Sequence, residues 1–287
     1  MENEKISVFG AYGFVLGEFC RQFPDEIIRV DKSERIPPTR RILYGISTTD
    51  NYNVFDSPTL DIETNLIVLM EVLKAAQDKY GSDFDITFIS SWFVYGQMEF
   101  PMVTNYPLHE EAPCNPKGFY SITKRTAEQL LISYCETFKI KHRILRLANI
   151  LGYRDTKVST KKNALQFLID KLIHHETIEL YDRGEFYRDY MDVRDCARAI
   201  HIAMASQTGT IMNISNGESH KFRDLIDKVV AYAESKSLVV DKLHKPEFHS
   251  VVQSKDVFLS NDKLKALGYS PQFSIDQTLK DIVDNYK

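Results

Sequence analysis

The sequence contains no run of about eighteen apolar residues, the length a bilayer-spanning helix needs, so it predicts no membrane association. Its opening, Met1 to Lys5, lacks a basic stretch followed by an apolar one. It does not read as a signal peptide, and the expected location is the cytoplasm. The four cysteines, Cys20, Cys114, Cys135 and Cys196, lie far apart with no CxxC pair. That spacing argues against a zinc site or redox dithiol; the thiols read as reduced and mostly buried, and no metal is expected. A net charge of −4 excludes a broad basic surface for nucleic acid or an anionic membrane. Phosphate groups must then be bound by a local patch. No low-complexity segment or internal repeat is present, which excludes a solenoid.

What is present is an ordinary globular composition, 43% hydrophobic and 26% charged, over 287 residues. This suits one large α/β domain or a cofactor domain with a smaller companion. Short apolar runs alternate with amphipathic helical patterns. Strands are expected at Ile6–Phe9, Glu26–Val30, Ile42–Ile46, Ile86–Ile89 and 143–147. Helices are expected at Phe14–Phe23, Leu60–Lys79, Tyr120–Phe138, 161–174, 193–205, 221–236 and 275–286. Strand–helix–strand alternation means parallel pairing with right-handed crossovers. The fold class is therefore α/β: a Rossmann-like doubly wound parallel sheet with a smaller mixed α/β C-terminal part. Residues 1–155, with 186–210 returning to them, read as the dinucleotide-binding domain, and 156–185 with 211–287 as the substrate-binding domain.

The segment Gly10-Ala11-Tyr12-Gly13-Phe14-Val15 follows the first strand and opens the first helix. The first glycine permits a tight turn, the second lets backbone approach a pyrophosphate, and the helix N-terminus offers N–H groups and a positive dipole end. Leu16 stands where a third glycine is usual, with Gly17 one place later. Asp31 ends the second strand, where a carboxylate accepts the ribose hydroxyls of NAD and repels a 2′-phosphate. Lys32, Ser33 and Arg35 follow and could do the opposite, so NAD is favoured with NADP still open. Only about ten residues separate Asp31 from the next strand, too few for a helix and a strand. The third strand–helix unit is expected to be shortened, opening the adenine end.

Tyr120 and Lys124 begin a helix, four residues apart, which puts their Cβ atoms roughly 6 Å apart on one face. A nearby ammonium stabilises a phenolate, and such a tyrosine can move a proton to or from a sugar hydroxyl or ketone. Ser91 closes the preceding strand in Ser90-Ser91-Trp92-Phe93-Val94-Tyr95-Gly96, pointing its hydroxyl into the crevice where ligands of open α/β sheets bind.

With these motifs assembled, the sequence resembles the extended short-chain dehydrogenases, the NAD-dependent epimerase/dehydratase family of nucleotide sugars. The likeness continues through Asn65, Glu110 and Glu111, Arg146 to Gly152, Arg188-Asp189-Tyr190, Asn213 to Glu218 and Leu267-Gly268-Tyr269, in order over nearly the whole chain. The resemblance implies Ser91, Tyr120 and Lys124 as catalytic residues, with Lys124 also touching the nicotinamide ribose. It implies Asn149 and Arg188 as contacts to a nucleotide-diphosphate sugar, with Trp92 narrowing the site. Asp195 reads as a structural helix-start residue. Lys157, Lys161 and Lys162 are either a phosphate contact or a solvated helix face.

Dehydratases of the family carry an Asp-Glu pair after the catalytic hydroxyl, and a fucose-synthase-like enzyme carries a cysteine there. This chain has Trp92 and Phe93, which fits neither. The leading expectation is a 4-epimerase working by hydride transfer at C4. The alternative is a 4-keto-6-deoxy-sugar 4-reductase, and a third reading is a non-catalytic dinucleotide sensor. The resemblance also implies a homodimer through a four-helix interface, made by the helices carrying Leu66 to Ala76 and Ala127 to Tyr134.

Overall fold

The computed structural model describes residues 4–50, 52–96, 107–155, 163–244 and 256–287. Its centre is a six-stranded parallel sheet made of β1 (Ile6–Phe9), β2 (Ile27–Val30), β3 (Arg41–Tyr44), β4 (Asp85–Ser91), β5 (Lys141–Leu147) and β10 (Thr210–Ile214), ordered β10-β5-β4-β3-β1-β2. Every residue of β1 is buried, as expected of a strand covered on both faces, and only Ser7 interrupts its apolar sequence. One face packs Val8 and Met212 against Leu16 and Phe19 of α1 (Phe14–Gln22) and Ile200 of α7 (Val193–Ala203). The other packs Phe9 and Ile144 against Leu73 of α4 (Val68–Tyr80) and Leu131 of α5 (Phe119–Phe138).

The connection from β2 to β3 contains no helix or strand. It crosses to the far side of β1 and is pinned there by Thr39, whose N–H donates to Ser7 Oγ at 2.9 Å, and by the Tyr80 hydroxyl donating to the carbonyl of Pro38 at 2.7 Å. Among the described residues nothing pairs with the outer side of β2, so the shortened third unit expected from the sequence is what the sheet shows.

The helix expected over Leu60–Lys79 is interrupted. After the single turn α2 (Asn53–Asp56), α3 (Leu60–Ile62) runs into a π-turn, Glu63–Ile67, before α4 begins. Apolar spacing cannot report such a turn, because one extra residue leaves the flanking stripes intact.

A second body contains α6 (Ala164–Ile173), α8 (Phe222–Ala233) and α10 (Ile275–Tyr286), which share a core of Leu165, Ile169, Leu225, Ile226 and Ile282. Short ladders accompany it: β7 (Ile178–Tyr181) with β12 (Val239–Lys242), β8 (Tyr187–Arg188) with β11 (His220–Lys221), and β6 (Asn149–Leu151) with β9 (Tyr190–Asp192). The returning segment reaches further than residue 210. β10 pairs in parallel with β5 from Thr210 to Ile214, and Leu264 of α9 (Asp262–Ala266) and Tyr269 pack into the first core. Ile211, Met212 and Ile214 give this strand its apolar side chains, buried Asn213 donates to the Leu108 carbonyl at 2.9 Å, and the strand completes the sheet edge.

Candidate active site

The glycine turn has the backbone its sequence requires. Gly10 has φ +85°, and a Cβ there would lie 2.9 Å from the carbonyl carbon of Gly45. Gly13 is the N-cap of α1; no side chain caps that helix and no acidic residue sits in its first turn, so its end suits an anion. Phe14 and Val15 are half-buried, while Tyr12 is exposed beneath the Arg29 guanidinium, 5.6 Å from the ring centroid. Arg29 also donates to the carbonyl of Ala11 at 2.7 Å, bracing the turn from β2. Leu16 is buried against the sheet, in space that Gly45 leaves open.

At the end of β2, Asp31 is exposed and accepts from Ser33 N at 2.9 Å and Ser33 Oγ at 2.6 Å, which hold its carboxyl below the usual range. Lys32 is exposed beside it. Arg35 turns away, donating to Glu71 at 2.6 Å.

Ser91, Tyr120 and Lys124 come together where β4 meets the start of α5. The Ser91 hydroxyl is close enough to the Tyr120 phenol to lower it, and it accepts from Phe93 N at 3.3 Å. Tyr120 is half-buried, with the Phe93 ring packed edge-on at 5.8 Å. Lys124 is buried, donates from Nζ to the Ile89 carbonyl at 2.8 Å and lies 4.7 Å from the Phe88 ring centroid. Burial pushes the Lys124 ammonium down to about 7, against the opposing pull of Glu128 one turn further on. Burial raises the Tyr120 phenol; the Ser91 hydroxyl acts the other way, and Asp61 adds to the rise.

Glu128 was not singled out from the sequence, although Tyr120, Lys124 and Glu128 recur at four-residue spacing. It is fully buried and accepts from Ser90 Oγ at 2.6 Å, Arg146 Nε at 3.0 Å, Arg146 Nη2 at 2.8 Å and Arg125 Nη1 at 2.7 Å. Those bonds outweigh desolvation and hold its carboxyl low. The cluster locks α5 to β4 and β5 directly behind Ser91 and Lys124.

Trp92, Asn149 and Arg188 form one group. Trp92 Nε1 donates to Asn149 Oδ1 at 3.2 Å, and Asn149 Nδ2 donates to the Asp189 carbonyl at 3.0 Å. The Arg188 guanidinium lies 5.8 Å from the Trp92 ring and 4.7 Å from that of Phe186. Each end of the Asn149 carboxamide keeps one further hydrogen-bonding position. Asp195 serves the fold: it accepts from Gln272 N and Phe273 N, both at 3.0 Å or less through Oδ2, and from Arg198. The N-cap of α7 is Asp192 rather than Asp195. Lys157, Lys161 and Lys162 lie outside the described residues.

The model of the NAD dependent epimerase/dehydratase family matches residues 45–215. The chain belongs to this family. It is accordingly an enzyme of the nucleotide-sugar epimerases, dehydratases and reductases, dependent on a nicotinamide dinucleotide. The family member is 23% identical over 276 residues to the GDP-6-deoxy-D-mannose reductase of Pseudomonas aeruginosa, covering 95% of this chain and 83% of that one. It is 23% identical over 256 residues to dTDP-glucose 4,6-dehydratase 1 of Escherichia coli, covering 80% and 67%. Its fold matches the UDP-glucose 4-epimerase of Thermotoga maritima solved with UDP-glucose (TM-score 0.85, 20% identity, 98% of each chain). It also matches RMD of P. aeruginosa complexed with NADPH (TM-score 0.83, 22% identity, 99% of this chain and 98% of that one).

The backbone N–H groups of the glycine turn and of the uncapped end of α1 suit a pyrophosphate, and the Asp31 carboxylate suits ribose hydroxyls. Among the described residues, no group of three or more His, Cys, Asp or Glu side chains could hold a metal, and no helix is long and apolar enough to cross a membrane. Cys20, Cys135 and Cys196 are buried and Cys114 half-buried, all as free thiols.

Proposed function

We propose that this enzyme transfers hydride at C4 of a hexose carried on a nucleoside diphosphate, with Tyr120 as acid/base. The observation that carries the reading is the convergence of Ser91, Tyr120 and Lys124 at the C-terminal end of β4. When bound, the nicotinamide ring gives or takes the hydride. Ser91 and Tyr120 hydrogen-bond the C4 oxygen. In reduction, Tyr120 gives its phenolic proton to that oxygen as C4 gains hydride, so C=O becomes CH–OH. Lys124 then stands beside the resulting phenolate. Arg188 supplies a forked donor for the diphosphate, and the remaining capacity of Asn149 serves the sugar or its phosphates. The body containing α6, α8 and α10 is the substrate-binding part. Asp31, together with Arg35 being tied to Glu71, favours NAD over NADP.

Of the two C4 reactions, a single reduction of a 4-keto sugar has the stronger geometric support. Trp92 is fixed between Asn149 and Arg188, which restricts the space a keto-sugar needs to turn over between hydride transfers. The sheet ending at β2 favours cofactor exchange. Burial and Asp61 both favour a protonated Tyr120, the form that reduction consumes. The 4-epimerase expected from the sequence uses the same three side chains and is the second reading, favoured by the fold match to the T. maritima epimerase.

The deciding experiment incubates the protein with UDP-, dTDP-, GDP- and CDP-sugars and their 4-keto-6-deoxy forms. Stoichiometric oxidation of NADH or NADPH supports the reductase. Sugar interconversion with catalytic NAD+ and no net redox change supports the epimerase. Bound cofactor with no turnover of any sugar would replace both by a sensor.

A homodimer is part of the proposal. Ile62 and Ile67 along 60–67, and Ile122, Leu130 and Phe138 along α5, are exposed apolar side chains on the two helical segments of the expected interface. Leu69, Leu73, Ala76 and Ala127 are core residues instead. Sedimentation of the protein and of an Ile67→Asp, Ile122→Asp variant tests it; an unchanged mass would remove this pair of helices as the interface.

A further inference from the structure

Arg188 is a largely buried cation that keeps 8% of its surface exposed, so a ligand can still reach it. Two aromatic rings receive its guanidinium. The central carbon lies over the Phe186 ring, 4.7 Å from the centroid, and over the Trp92 ring at 5.8 Å. Nη1 donates to the Tyr187 carbonyl at 2.9 Å, which holds the side chain back along its own strand. Trp92 is tied to Asn149 and through it to the Asp189 carbonyl. Phe186 is held from the second body. Its ring stacks on buried Phe222 with centroids 4.7 Å apart and planes at 26°, and its carbonyl accepts from Phe222 N at 2.9 Å. That bond extends the ladder of β8 with β11, and Phe186 and Arg188, two residues apart, stand on one side of it.

A cation taken out of water needs compensation. An aromatic ring supplies part of it through its negative face, and more when the pair is desolvated. Stacking uses the flat face of a guanidinium and leaves its N–H edges, the part that matches a phosphate. We propose that Phe186 is a positioning residue for the diphosphate: its ring fixes the plane of the Arg188 guanidinium, and Phe222 fixes the ring. The packing of α8 thereby sets the aim of the phosphate grip. This role rests on the reading of Arg188 as a donor to the diphosphate and adds to it the residue that orients the donor.

The test titrates the intact protein calorimetrically with UDP, dTDP, GDP and CDP. The tightest of them is then carried into Phe186→Leu, Phe186→Tyr, Arg188→Met and the double variant Phe186→Leu, Arg188→Met. Thermal melting checks integrity, and Phe186→Met replaces Phe186→Leu if the latter melts near the assay temperature. Phe186→Leu keeps apolar packing without a ring face and should weaken the diphosphate ~3- to 10-fold. Phe186→Tyr keeps the ring and should stay within about two-fold of wild type. With Arg188→Met already in place, Phe186→Leu should add less than about two-fold, the coupling expected of a residue that acts through another. For the sugar that the wild type turns over, the loss should fall in KM rather than kcat. No loss in Phe186→Leu, an equal loss in Phe186→Tyr, or the same loss with and without Arg188 overturns the positioning role and leaves Phe186 a packing residue. If the wild type binds none of the diphosphates, or Arg188→Met binds as tightly as wild type, the parent reading of Arg188 falls and takes this inference with it.

Discussion

Leu16 and Gly45 exchange roles across the glycine turn: a Cβ on Gly45 would lie 2.4 Å from Leu16 Cδ1 and 3.2 Å from Leu16 Cγ. The close approach of helix to sheet that a third glycine in α1 ordinarily allows is obtained here by removing the side chain from the strand end instead. Gly45→Ala is therefore expected to destabilise by about 1–3 kcal/mol through overpacking. Adding Leu16→Ala should recover part of that loss. A double-mutant cycle by denaturant unfolding checks it, and strictly additive losses would disprove the pairing.

Tyr120→Phe keeps the ring and its edge-on contact with Phe93 but removes the proton. Turnover of the accepted sugar should fall ~100-fold or more with cofactor affinity preserved. Steady-state kinetics paired with fluorescence titration measures both, and retained turnover would refute the acid/base assignment.

Lys124 carries a stability cost that depends on pH. Its pKa in the folded protein, about 7, lies below its ordinary 10.5. Below about pH 7 the folded state holds a buried ammonium. Between about pH 7 and 10 the unfolded chain binds a proton that the folded chain does not, so stability rises with pH across that window. Lys124→Met should accordingly melt several degrees above wild type near pH 6 while losing activity. The gap should narrow as pH rises past 7. A constant gap in melting temperature across that range would contradict the buried-charge account.

Glu128 couples the core to the site. Glu128→Ala leaves Arg146 buried with the Glu110 carbonyl and the Tyr95 ring but no counter-charge, and is expected to cost about 3–5 kcal/mol by chemical denaturation. The milder Glu128→Gln removes the charge that raises Lys124. The alkaline limb of kcat/KM, where charged Lys124 is lost, should then move to lower pH. An unmoved limb would separate Glu128 from the electrostatics of the site.

Much of this architecture was legible along the chain because its strands are buried on both faces and its helices on one, two patterns that short windows reveal. The ten-residue gap after Asp31 was enough to anticipate a sheet ending at β2. Contacts between distant residues were not legible: nothing local in Trp92 points to Asn149, and nothing in Phe186 points to Phe222. Leu16 read as a missing glycine because the compensating Gly45 belongs to another strand–loop junction. Lys124 and Tyr120 could be paired by spacing, whereas the depressed lysine arises from burial against Phe88, a tertiary effect. The strand Thr210–Ile214 escapes a sequence reading, because five residues with Thr210 and Asn213 among them carry no mark of a strand or of the sheet it joins.

Among the described residues the outer side of β2 is a bare margin, the kind of surface on which a second copy of a chain can add strands without limit. This margin is four residues long, has Arg29 in its middle and runs straight into the charged pair Asp31 and Lys32. Short length and charge are what keep natural sheet edges from templating fibres. The same arginine that braces the glycine turn thus also puts a fixed charge on the trimmed margin.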